Sequence, residues 1–235
     1  MTQARTHTTA AALHPEGASD LRATSIDGWG SESLAERAYR RLERLIVTLE
    51  LEPGAVINER TLIDFTGMGR TPVREAIQRL AWEGLMEVRP RSGIAITPID
   101  PKDFVKVLDA REGVETVLAR DAARFGSARD HERLKAMANA MHQAVATDDI
   151  TMFLDADKGF DLALATASNN PYAARLAAPL QTHSRRFWFQ LRASSGISGS
   201  AGVHASLIDA IVSRDAERAT ATVMELMSYL RSLTP

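Results

Sequence analysis

Arg70, Thr71, Arg74 and Gln78 lie within the stretch GMGRTPVREAIQRLAWEGL, residues 67–85. At roughly 100° per residue they share one face of a helix, beside a second face made of Val73, Ala76, Ile77 and Leu80. An arginine fork can pair bidentately with guanine and a glutamine amide with adenine, so this polar face suits readout of base edges in a DNA major groove. The same spacing also fits a solvated helix face, since arginines four residues apart are common there. Pro72 sits between the two arginines. A proline belongs in the first turn of a helix, where its missing amide has no intrahelical partner, so the helix starts close to it with Gly69 or Thr71 as N-cap. Arg70, Arg74 and Arg79 are expected to face only Glu75 as a nearby acid, so these arginines are not expected to be paired with other carboxylates.

Three neighbouring elements could position that helix. ERTLIDF (59–65) reads as a brief helix carrying Leu62, Ile63 and Phe65, separated from the next by a glycine-rich turn. Upstream, Leu34, Ala38, Leu42, Leu45 and Ile46 recur at helical spacing before a Pro-Gly stop at 53 and 54. Downstream, LMEV (85–88) and IAIT (94–97) are β-prone runs around the turn-forming RPRSG. Three helices followed by a hairpin make a winged helix-turn-helix, whose wing arginines Arg89 and Arg91 can reach phosphates or the minor groove.

These residues resemble the GntR transcriptional regulators. The likeness runs from LEPGAVINERTL through GMGRTPVREAIQRLAWEGL to RPRSGIAI, following the family's PG, RTPVREA, L..EGL and wing patterns in order. It implies DNA contacts at Arg60, Arg70, Thr71 and Arg74 and along the wing segment Arg91, Ser92 and Gly93, to which the helix geometry adds Gln78. Gly69 stands where the family usually has serine, so a hydroxyl cap or phosphate contact is lost.

Charge alone does not advertise a nucleic-acid binder. The chain has 235 residues and a formal net charge of −2, and residues 31–97 hold ten arginines against ten Asp and Glu. Every basic residue in that segment is arginine, however, whose planar fork suits phosphate and base-edge recognition. There is no cysteine, which excludes disulfides and thiolate chemistry and fits a reducing compartment. We expect no membrane partner and a cytoplasmic location, because no apolar run approaches the ~20 residues of a membrane span and no signal-peptide core is present. Residues 1–30 are rich in Ala, Thr, Gly and Ser and read as a flexible tail, with a short helical arm conceivable across 10–13.

Residues 31–98 thus form a DNA-binding domain. After TPIDP (97–101) the pattern turns all-helical, with helices expected over about 101–125, 129–147, 150–168, 171–193, 200–213 and 215–232. The expected fold is mainly α: a winged helix-turn-helix with a small β-hairpin wing, then an all-α six-helix bundle over 101–235 for effector binding and dimerisation. This bundle resembles the FCD effector domain of the FadR subfamily, through DAREGVE (109–115), FLDADKGFDLALATASNNP (153–171) and HASLIDAIVSRDAERA (204–219). Many FCD domains hold a metal on one Asp and three His. The matching positions here are Asp157, Asp161 in place of the first His, His204, and Leu226 in place of the last. The resemblance therefore implies at most a weakly bound divalent metal ion on Asp157, Asp161 and His204. The alternatives are direct effector binding by the carboxylate pair, a polar pocket filled with water, or an internal ion pair.

Asp157 and Asp161 share a helix face with Phe153, Phe160 and Leu164, and carboxylates on an inward face need partners. Arg111 and His183 also lie on apolar stripes. With Asp157, Asp161 and His204 they form the candidate effector site, Arg111 matching a pocket-lining family arginine suited to anchoring a carboxylate. HSRRFWFQLR (183–192) reads as core plus dimer contact. The expected protein is a ligand-responsive regulator, a repressor, that binds a palindromic double-stranded operator as a homodimer and responds to a small organic acid. Two other classes fit parts of the chain: an α-helical metal-dependent enzyme fused to a DNA-binding module, and a constitutive architectural DNA-binding protein. The enzyme reading lacks HExxH, a Ser/His/Asp motif and a phosphate loop, and the architectural reading leaves the helical domain without a use.

Overall fold

The structure is a computed structural model that describes residues 32–191 and 197–234. The expected tail and its helical arm lie outside the described residues. Helix α1 (Leu34–Val47) leaves Leu34, at its start, exposed but buries Ala38, Leu42, Leu45 and Ile46 of the expected stripe and also Tyr39. They pack with Leu62 of α2 (Glu59–Thr66) and with Val73, Ala76, Ile77 and Leu80 of α3 (Arg70–Trp82) in one hydrophobic cluster. Asn58 caps α2 by accepting from the Thr61 amide at 2.8 Å, and Gly67, at φ 66°, ends it. The next helix begins at once: Gly69 is its N-cap without a side-chain bond, and Pro72 sits in the first turn.

The hairpin is one residue out of step with the sequence reading and has a third partner. Strands β1 (Val56–Ile57), β2 (Met86–Arg89) and β3 (Gly93–Ile96) form an antiparallel sheet in the order β1-β3-β2. Leu85 is not in a strand because its amide closes the end of α3 on the Leu80 carbonyl at 2.9 Å, next to Gly84 at φ 76°. Two residues, Val56 and Ile57, are too few to give β1 a readable alternation. Gly93 has φ +112°, and a Cβ there would lie 2.8 Å from the Ile57 carbonyl oxygen, so glycine is required where β1 crosses the wing.

The second hydrophobic cluster belongs mostly to the bundle. Helices α4 (Pro101–Phe125), α5 (Ala128–Thr147), α6 (Ile150–Ala167), α7 (Pro171–Leu191), α8 (Ser198–Val212) and α9 (Ala216–Arg231) follow the expected spans to within two residues at each end. Their starts are written in the chain. Asp100 with Pro101, the Ser127/Asp130 capping box, Asp149 and Asp215 each satisfy first-turn amides. Phe104, Leu108, Leu118, Leu134, Phe153 and Phe160 are fully buried between them. No described helix is long and apolar enough to cross a membrane.

Replacing Gly93 by Ala should therefore lower unfolding stability by about 1–3 kcal/mol. A urea titration of both proteins measures it, and an unchanged midpoint would mean that β1 and the wing can separate without cost.

Candidate functional site

Arg70, Thr71, Arg74 and Gln78 are all exposed on α3. The two arginines are not unpaired, which corrects the sequence expectation. Glu59, in the first turn of α2, accepts from Arg74 Nε at 2.7 Å and lies 3.4 Å from Arg70 Nε. The helix-turn-helix brings this carboxylate across from fifteen residues upstream of Arg74, out of reach of a reading along one helix. Arg60 pairs with Asp64 at 3.2 Å and remains exposed. A groove of about 550 Å³ between α3 and the wing is lined by Arg74, Gln78 and Val88 together with Glu59 and Glu75. On the wing, Arg89 folds back onto Glu87 at 2.7 Å, while Arg91 and Ser92 stand exposed at the tip beside Gly93.

Arg79 has a different task. Its guanidinium lies 3.6 Å from the centre of the Tyr39 ring and pairs with Glu36 at 2.7 Å and Glu83 at 3.1 Å. The Tyr39 hydroxyl donates to Glu83 at 2.8 Å. This cluster locks the end of α3 to α1 and does not face the groove of the first-turn arginines.

Within the bundle, α4, α6, α7 and α8 converge on a buried polar pocket. Arg111 grips Glu115 bidentately at 2.8 and 3.1 Å and donates to Ser184 Oγ at 2.6 Å. Gln181 adds a bond to Glu115 at 3.0 Å. His204 Nε2 lies 3.1 Å from Asp157, with Nδ1 2.7 Å from the Ser200 carbonyl. Burial disfavours the His204 cation, but the Asp157 hydrogen bond and charge outweigh it and raise its pKa above the usual value. Burial also opposes Asp157 ionisation, yet His204 and then Arg185 hold that carboxyl below its ordinary range. Asp161 is pushed up, by burial first, with Asp157 and Glu115 adding to the effect against the pull of Arg185. Trp188 Nε1, also in this pocket, is a buried donor with no hydrogen-bond partner among the described residues. The open space is only about 20 Å³, room for about one water.

Four nearly consecutive residues of α7 then reach the DNA-binding domain. Thr182 Oγ donates to Glu43 of α1 at 2.8 Å, and Glu43, 3% exposed, also takes a bond from Lys158 Nζ of α6. Arg185 Nη2 lies 3.8 Å from the same carboxylate and donates to Thr182 at 3.2 Å. Arg186 donates to the Thr97 carbonyl at 2.7 Å, just after the wing. His183 does not line the pocket, contrary to expectation. Its Nε2 is 2.7 Å from the Glu83 carbonyl at the end of α3, because one residue along α7 turns the side chain by about 100°.

Asp157, Asp161 and His204 do come together, but not around an open cation position. Arg185 Nη1 donates to Asp161 and approaches Asp157 at 3.4 Å, filling the space between the two carboxylates. Leu226 is fully buried and apolar. Among the described residues no group of three His, Asp or Glu is arranged to hold a metal ion. The residues present thus do not fit a divalent metal. Sequence reading missed Arg185, Glu43, Thr182 and Ser184, and assigned Trp188 to core and dimer contact in preference to an aromatic effector cage. The available signal was charge on apolar stripes: Glu43 lies one turn from Tyr39, and Arg185 and Arg186 interrupt a run ending in Phe187 and Trp188.

With this geometry in hand, comparisons with known proteins are informative. The FCD domain family matches residues 106–229, and the family described as bacterial regulatory proteins, gntR family, matches residues 34–96. An HTH-type transcriptional regulator in an unstable DNA locus of Streptomyces ambofaciens is 29% identical over 186 residues, 75% of each chain. A protein of Paenarthrobacter nicotinovorans named as a probable D-xylose utilization operon transcriptional repressor is 26% identical over 166 residues, 71% of this chain and 73% of that one. The solved structure titled E. coli McbR/YncC is alike in fold, with a TM-score of 0.76 at 20% identity, covering 87% of this chain and 98% of that chain.

The α7–α3 contact should loosen in acid. Burial lowers the His183 pKa, the Arg186 charge adds to this, and the Glu83 carbonyl opposes it. The stability that neutral His183 contributes is full above its unfolded value of about 6.5 and is lost as pH falls from there through its lower folded value. Melting temperatures of wild type and His183→Gln between pH 5 and 7.5 should converge on the acid side; a gap independent of pH would remove His183 as the titrating group.

Proposed function

The chain belongs to the GntR family of bacterial regulatory proteins and carries an FCD domain behind its winged helix, and on that premise we propose that it is a cytoplasmic repressor that binds an inverted-repeat operator as a homodimer and releases it when a small organic anion enters the FCD pocket. It is a DNA-binding transcriptional regulator and not an enzyme: both family matches and the relatives are regulators, which sets aside the metal-dependent enzyme reading. The observation that carries the effector half of the proposal is the continuity between pocket and DNA-binding domain, with Arg185 touching Asp157 and Asp161 on one side and Thr182 and Glu43 on the other.

An anion is favoured over a cation by the groups that are free to meet it. Trp188 Nε1 is an unused buried donor, and the two guanidiniums of the site, Arg111 and Arg185, already hold carboxylates that a ligand carboxylate can replace. Since the pocket has space for about one water, a ligand of several heavy atoms must displace a side chain. Displacing Arg185 removes a partner from Glu43, and α1 carries that change to α3 through Tyr39, Arg79 and Glu83. The coupling is reciprocal, so operator DNA must weaken effector binding by the same factor. One recognition helix reads few base pairs, which supports a two-fold assembly on a near-palindrome.

Arg70→Ala or Arg74→Ala should cost about 1–3 kcal/mol per half-site, towards the lower end because each substitution also removes an exposed ion pair with Glu59. Mobility-shift titrations at fixed salt on a genomically selected operator measure this. Unchanged affinity in both variants, or binding to a single half-site as tight as to the full site, would count against the operator reading.

Trp188→Phe preserves most of the buried volume while removing the unused donor. It should keep operator affinity and weaken release by whichever carboxylate a screen identifies. A normal response in this variant would put the effector elsewhere.

A further inference from the structure

Arg185 reaches three carboxylates and one hydroxyl, while the Lys158 ammonium, on the same Glu43 carboxylate, lies near enough to repel it. Asp157 and Asp161 lie one turn apart on α6, and both face Arg185 Nη1. Glu43 lies 3.8 Å from Nη2, with the Thr182 hydroxyl accepting from Nη2 and donating to Glu43. The side chain is 9% exposed. Three carboxylates from two domains therefore converge on one guanidinium in a site that water hardly reaches. Carboxylates so close would repel one another without a positive charge among them. An Asp pair beside a histidine is also a set of donors suited to a divalent ion, if the space between them were open. Here a side chain of the protein occupies it.

We propose that Arg185 is a built-in cation that takes the place of a divalent metal in this pocket and, by holding Asp161 and Glu43 at once, ties the pocket to helix α1. This rests on reading the pocket as the effector site, and it adds what sets that site's charge and how its state leaves the bundle. A metal ion on Asp157, Asp161 and His204 would neutralise the pocket but could not touch α1. A guanidinium does both, because its fork has two faces. Two features of the site follow. The protein needs no metal to keep Asp157 and Asp161 together. Any change in the Asp157/Asp161 side of the site is felt by Glu43, since one rigid planar group serves both.

The test removes the guanidinium and asks whether a metal can replace it. Wild type and Arg185→Met are prepared in parallel, together with Arg185→Met/Asp157→Asn, and each is dialysed against a mild chelator. Melting temperature and bound metal are then measured with added Mn²⁺ or Zn²⁺. Wild type should retain no stoichiometric ion and show no metal-dependent shift. Arg185→Met should melt lower and gain a metal-dependent rise of about several degrees, as expected for a ligand at many times its Kd, and the added Asp157→Asn change should abolish the rise. Hydrogen exchange in α1 around Glu43 provides the second readout. Protection there should fall in Arg185→Met and stay low with metal, because the ion refills the pocket without reaching Glu43. Should the Met variant fail to fold without metal, refolding it with and without Mn²⁺ gives the same comparison as a yield.

One tightly held divalent ion per chain in wild type, lost in Asp157→Asn, would overturn the proposal. So would an Arg185→Met protein that acquires no metal response, or one whose α1 protection is unchanged. None of these measurements involves DNA or an effector, so their failure is separable from failure of the operator reading.

Discussion

The buried carboxylate Glu43 constrains how the DNA-binding domain sits on the bundle, together with the His183–Glu83 and Arg186–Thr97 contacts. Taking a charge out of water is costly unless it is paired and hydrogen-bonded, and Glu43 meets Lys158 of α6 and Thr182 and Arg185 of α7. An apolar side chain at that place in α1 would tolerate many sliding arrangements of the two domains. A buried carboxylate tolerates few, because each small displacement leaves it without donors. The local charge balance is tight as well. Burial, with Arg185 and Arg40 nearby, brings Lys158 down to about 8.

Helix α7 carries this constraint in both directions. Its stretch from Gln181 to Trp188 alternates between the pocket and the junction: Gln181, Ser184 and Trp188 towards the pocket, His183 and Arg186 towards the DNA-binding domain, and Thr182 and Arg185 between them. Residues one apart diverge by about 100° on a helix, so one turn can serve two faces. The same turn holds Arg186, which donates to the Thr97 carbonyl, has no carboxylate in hydrogen-bond contact among the described residues, and is lowered to about 10 by burial. Ions buried in this way are held by structure built around them. That makes a rotation of α7 costly for both domains together.

Much of this was legible in the chain, and the reasons divide cleanly. Helix starts at Pro101, Ser127 and Asp215 are local chemistry, and they were placed to within a residue or two. So were the exposed faces of α3, since an amphipathic period is a local property. The two-residue strand β1 was not legible, because its only signature is pairing with β3. Nor were the acidic partners of Arg70, Arg74 and Arg185, which come from other helices and depend on how those helices cross. His183 shows the limit in miniature. Its apolar stripe suggests an inward face, but Leu176 on it is exposed, and a buried side chain can face a pocket or a neighbouring domain, which only packing distinguishes.

Glu59 has a consequence that reaches beyond the protein itself. It pairs with Arg74 Nε and approaches Arg70 Nε, so on the proposed operator reading it would stand in for a phosphate at these arginines. A stray backbone phosphate offers these arginines little more than the carboxylate already does, whereas a guanine edge in register offers two directed bonds. The effect is a threshold. Random genomic sequence, present in vast excess, is discounted by roughly the strength of the pairs that must open, while a matched operator recovers that loss through its bases. On the proposed operator reading, a DNA-binding domain with equal numbers of arginines and acids would gain discrimination by giving up general adhesion.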